Sequence, residues 1–212
     1  MKKITTLSLI ASFLVSITSF ADVTTIDEHH CITASIDKVQ KFFSDYNSYS
    51  SLPGSTYSIM GIQAISMVKS QSSVASETST SKEALAWIVL QPLNITDPTL
   101  YPRFLLKCNE KWNGTSSYIQ QCDLQSDKQH FGLDTLSTTI SGHSPDSSCS
   151  PNELGIQVHV VLNPNSSQVQ QIKDAALAPA GILKPIIEKL FNEDSFFKSY
   201  FHNVYDSWIN AL

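Results

Sequence analysis

Apolar positions along the chain follow two periods, and the places where one gives way to the other mark its elements. Residues 23–33 carry Val23, Thr25, Ile26 and Ile32 in a polar, β-tolerant setting and read as a strand. Ser35 can then cap a helix, because Ile36, Val39, Phe42, Phe43, Tyr46 and Tyr49 recur at three- and four-residue steps. Pro53-Gly54 ends that stripe. From there the period becomes two, and the pattern predicts strands over 56–61, 63–69, 84–90, 103–111, 118–124, 133–141 and 155–162. Phe104, Leu106, Cys108, Glu110 and Trp112 share one face; Ile156, Val158, Val160 and Leu162 alternate with Gln157, His159, Val161 and Asn163. The Ser/Thr-rich run 70–81 reads as an exposed strand edge or a loop. After Pro164 the helical period returns: Ser167 can cap 168–178, a second stretch covers 183–191, and 195–212 carries a wide aromatic stripe. Strand, helix, long antiparallel sheet and terminal helix make an α+β fold. The economical packing is a curved sheet with the last helix across its concave side.

The N-terminus sets the compartment. Met1-Lys2-Lys3 leads an apolar stretch from Ile4 to Phe20, interrupted only by Ser and Thr, with Ser19 and Ala21 at the two positions a signal peptidase reads. Residues 1–21 are expected to be a bacterial export signal and 22–212 a single domain, periplasmic or secreted, with no transmembrane segment in the mature chain. Removing Lys2 and Lys3 leaves 12 basic against 19 acidic residues, a net charge of about −7, and Arg103 is the only arginine. Such a surface excludes nucleic acid as a partner, since phosphate binding needs clustered Lys and Arg.

Four cysteines follow the signal. An even count in an oxidising compartment predicts two disulfides. Cys108 and Cys122 flank Asn113-Gly114 and face each other across a hairpin if its loop runs from about 113 to 117, which leaves Cys31 for Cys149. No CxxC pair and no histidine at ligand spacing from two cysteines points to a metal.

The chemistry-bearing residues are few. His29-His30 are adjacent, so in a strand their rings point to opposite faces; Glu28 and His30 share one face and can form a polar spot. His159 donates to a ligand if its face is the concave one. Tyr200, Tyr205, Trp208 and Trp112 are the candidate cavity walls, because hydroxyl and indole N–H groups can meet a ligand's polar end. There is no G-x-S-x-G, H-E-x-x-H, Walker A or G-x-G-x-x-G motif, so no catalytic residue and no cofactor is assigned.

Three stretches resemble the START-like, helix-grip superfamily of polyketide cyclase and lipid-transfer-like domains. They are Ser35-Ile36-Asp37-Lys38-Val39 with Phe42 to Tyr46, Tyr49 and Leu52-Pro53-Gly54; the 156–163 strand running into terminal helices; and Gly181 to Ile187 followed by Phe196 to Trp208. Pro185 is displaced from the usual place, and the 94–102 insert and the cysteines depart from the pattern. The resemblance implies a cavity between sheet and helix for an apolar or amphipathic small molecule or lipid. Two alternatives stand beside that reading: an envelope interaction or structural module with a solid core, and a hydrolase or cyclase whose site has no motif.

Overall fold

Period-two alternation produces eight strands: β1 (Thr24–Ile32), β2 (Thr56–Ile59), β3 (Ile62–Glu77), β4 (Ser81–Pro92), β5 (Arg103–Asn113), β6 (Ser117–Leu124), β7 (Leu133–His143) and β8 (Leu154–Pro164). They form one antiparallel sheet in the order β1-β8-β7-β6-β5-β4-β3-β2, so only β1 leaves sequence order. The helices are α1 (Ile36–Ser44), α2 (Ser166–Leu177), α3 (Lys184–Phe191) and α4 (Ser195–Asn210). This computed structural model describes residues 23–125, 130–191 and 195–212, and the export signal expected over 1–21 lies outside them.

The sheet curves into a half-barrel, and α4 lies along its concave side, reaching both edge strands, β1 and β2. One core fills the space between them: Val158, Val160, Leu106 and Ile140 from the sheet meet Phe197, Tyr200, Val204 and Trp208 from α4. A second, smaller core joins Ile95 of the 94–102 insert to Ile172, Ala176 and Ile187 of α2 and α3. The insert is therefore the seat of the helical pair. Gly54 fixes the far end of α4: a Cβ there would lie 2.3 Å from Ser207 Cβ, and φ is +77°, so this turn takes glycine on both counts.

Two expectations change, and one open choice is decided. The first helix stops at Ser44, because Asp45, Asn47 and Ser48 satisfy backbone groups outside a helix: Ser48 Oγ donates to Asp45 O at 2.9 Å, and Asn47 Oδ1 accepts from Ser72 N at 2.7 Å. Tyr46 and Tyr49 are buried all the same, beyond the helix end. The 70–81 run is strand on both sides of a turn, since the ladder from Ser70↔Ile88 to Glu77↔Lys82 needs backbone groups, not apolar side chains. The α2 cap is Asn165, whose Oδ1 accepts from Gln168 N at 3.0 Å; Ser167 supports it by donating to the same oxygen.

Candidate functional site

Between α4 and the middle strands runs a narrow apolar slot. Tyr46, Leu106, Gln120, Thr138, Tyr205 and Trp208 are among the side chains that line it, and its free volume is about 30 Å³. That is room for about two water molecules, against the several hundred Å³ that a bound small molecule occupies. Three of the expected wall residues, Tyr200, Tyr205 and Trp208, border this slot.

Their polar atoms are differently employed. Tyr200 Oη donates to Ser55 O at 3.4 Å, and Tyr205 bonds the Thr138 side chain. Burial raises both phenols, Tyr205 to about 12, so they are neutral hydroxyls at physiological pH. Trp208 is 3% exposed and its Nε1–H has no acceptor. A buried donor without a partner costs about 1–3 kcal/mol, and this one belongs to a ring on the slot wall.

One end of the slot closes on a polar network that the sequence reading did not single out. Glu110 is 1% exposed. Its carboxylate accepts from Tyr46 Oη at 2.6 Å, from Tyr118 Oη at 3.1 Å and from Ser44 Oγ. Gln120 Nε2 donates to Tyr46 Oη at 3.1 Å and to Phe43 O at 2.7 Å. Burial first, and nearby charge second, pushes the Tyr46 and Tyr118 hydroxyls well above the ordinary phenol range, so both remain donors. Lys82, opposite Glu110 in the β4–β5 register, donates to Ser44 O at 2.9 Å and lies 5.5 Å over the Tyr46 ring. The signal was present in the alternation: Glu110 is the one charged residue on an otherwise apolar face.

A second polar group pins α4. Glu28, on the inner face of β1, accepts from His30 Nε2 at 3.1 Å and from His202 Nδ1 of α4. The Glu28–His30 polar spot expected from their shared face is thus present, beside the helix.

Two candidate wall residues lie elsewhere. His159 points out of the convex face, its side chain 52% exposed, with Nδ1 2.6 Å from Asp27 Oδ1. Its even-numbered neighbours Val158 and Val160 take the core side, and a strand sends alternate residues to opposite faces. Trp112 packs at the margin of the core near the β5–β6 turn, and the slot does not reach it. On the same convex face, Ser148 Oγ lies 3.5 Å from His29 Nε2 and Asp146 Oδ2 lies 3.3 Å from that same nitrogen. A nucleophile–base–orienter relay needs the two ring nitrogens to face different partners, so this is no hydrolase triad. All four cysteines are paired, Cys31 with Cys149 and Cys108 with Cys122, and none is free.

No family model and no curated protein matches the chain. Among solved structures it is similar to a STAR-related lipid transfer protein fragment from Xanthomonas axonopodis, at 10% identity and a TM-score of 0.43, covering 77% of this chain and 85% of that one. Human STARD10 gives 10% identity and 0.43, covering 92% and 74%. The di-domain ARO/CYC StfQ of the steffimycin pathway gives 6% and 0.44, covering 89% of this chain and 50% of that one. The arrangement is a helix-grip fold. This chain's own strand order and the seating of α4 on the concave face establish that, and the functional argument rests on its own slot. No helix among the described residues is long and apolar enough to cross a membrane.

Proposed function

We propose that this helix-grip protein binds an apolar or amphipathic small molecule between the sheet and α4, in a slot that widens when α4 moves outward. The observation that carries the reading is the Trp208 Nε1–H, buried and unpartnered on an apolar wall. A ligand that offers an acceptor to that N–H and apolar surface to Leu106 and Phe201 would satisfy the slot as no side chain does. The free volume of about 30 Å³ favours a second reading, an interaction or structural module with a solid core. An exported location is part of the proposal; two disulfides support it, since such bonds persist in oxidising compartments.

The readings separate in one experiment. Titration with a long-chain fluorescent fatty acid should saturate at one probe per chain. Trp208→Phe, which keeps an aromatic side chain and removes the donor, should weaken binding by up to about tenfold. Native mass spectrometry of protein from its own host should find a co-purifying small molecule. No probe signal in a folded protein, with no mass adduct, would leave the solid module standing.

A further inference from the structure

The convex face of β1 carries a cluster unrelated to the slot. His29 and Cys31 are two apart on β1 and point outward together, and Cys149 reaches Cys31 from the loop after β7. A ring nitrogen of His29 and both sulfurs lie within 4.8 Å of one another. His29 and Cys31 are exposed and Cys149 is half-buried. The loop is organised around them. Asp146 Oδ1 accepts from Ser148 N at 2.8 Å and from the Ser148 hydroxyl, while Oδ2 lies 3.3 Å from His29 Nε2. Asp146 occupies the place of a side chain at position 155: a Cβ there would be 1.9 Å from Oδ2, so Gly155 is what admits the carboxylate.

An imidazole and two sulfurs at this separation, with a carboxylate holding the ring at Nε2, are the donors a zinc-class dication takes in a tetrahedral site with one open position. Joined as a disulfide, the sulfurs offer no thiolate. We propose that the Cys31–Cys149 disulfide gates a soft-metal site, and that reduction converts His29, Cys31 and Cys149 into ligands for one zinc-class ion. A dithiol attacks the bond, is itself oxidised to a disulfide and leaves two thiols. These lose their two protons as the dication binds, and Asp146 orients His29. The other bridge is spared by position, because Cys108 and Cys122 are buried in the core.

The test uses the mature protein, reduced by dithiothreitol without denaturant, freed of reductant under argon and shown by thiol titration to carry two thiols. Cobalt(II) should then bind one per chain with a thiolate-to-metal absorption band, and zinc should displace it. Oxidised protein should show no band. Cys149→Ser should abolish it, and His29→Ala should weaken binding at least about tenfold while keeping both thiols. If reduction loosens the fold, saturating zinc should restore the far-ultraviolet dichroism, since a metal that binds only the native state drives folding. Absence of the band in folded reduced protein, His29→Ala binding as tightly as wild type, or zinc failing to restore a loosened fold each overturns the proposal.

Discussion

Glu110 occupies a position that Phe104, Leu106 and Cys108 mark as interior, and it is held there by three hydroxyl donors rather than by an ion pair at contact distance. Charged acceptors make the stronger hydrogen bonds, so Glu110→Gln should lower unfolding free energy by about 1.5–3 kcal/mol. Glu110→Leu should cost more, because it strands the Tyr46 and Tyr118 hydroxyls in the core. Urea unfolding of the two variants checks the order. Asp146 offers a second test at this scale. Bonds from the Ser148 hydroxyl, then from its N–H, and then His29 hold the carboxyl down to about 2 from 3.8. Its folded pKa lies below the unfolded one, so its contribution to stability is present above about pH 3.8 and lost as pH falls through about 2. Carboxyl NMR titration should find the Asp146 midpoint near 2, moving upward in Ser148→Ala.

α4 is the element on which the slot depends, and it is fastened at separate points along its length. Phe197 meets Phe104 edge-on at 5.9 Å, His202 is bound to Glu28 on β1, Asn203 Nδ2 donates to Gly54 O at 3.2 Å, and Trp208 packs on Tyr49 at 4.4 Å. Removing the shared carboxylate by Glu28→Ala frees both His30 and His202. The expected result is about a tenfold fall in amide-exchange protection along α4, roughly 1.4 kcal/mol, with β5 amides unchanged. An equal fall in both elements would mean that Glu28 supports the whole fold and not the seating of this helix. The stripe on 195–212 announced that the helix covers something, yet Tyr46 and Tyr49 show the limit of such periodicity. They continue the α1 stripe in sequence but reach the core from a turn and a 3₁₀ segment.

At the scale of the molecule, the two disulfides act over very different spans. Cys108–Cys122 closes 14 residues inside one hairpin, and Cys31–Cys149 closes 118, tying β1 to the loop after β7. In the chain-entropy estimate these contribute about 3 and about 5 kcal/mol respectively. Two thiols should therefore react after mild reduction and four only after denaturation, and loss of the exposed bridge alone should lower the melting temperature by roughly 10–20 °C. Scanning calorimetry with thiol counting measures both.

By itself the sequence determined what local periodicity and parity can carry: the alternating strands, the amphipathic helices, the count of two disulfides and the likeness to helix-grip proteins. It also placed Tyr200, Tyr205 and Trp208 together, because residues on one helix keep their relation wherever that helix goes. Tertiary structure alone decided which face of a strand is concave. Alternation gives two faces and names neither, so His159 went outward and Glu110 went in with Phe104 and Leu106. Distance between segments was equally beyond the linear pattern. Asp146 meets His29, and His202 meets Glu28, across more than a hundred residues, because strand register and the path of α4 bring them together.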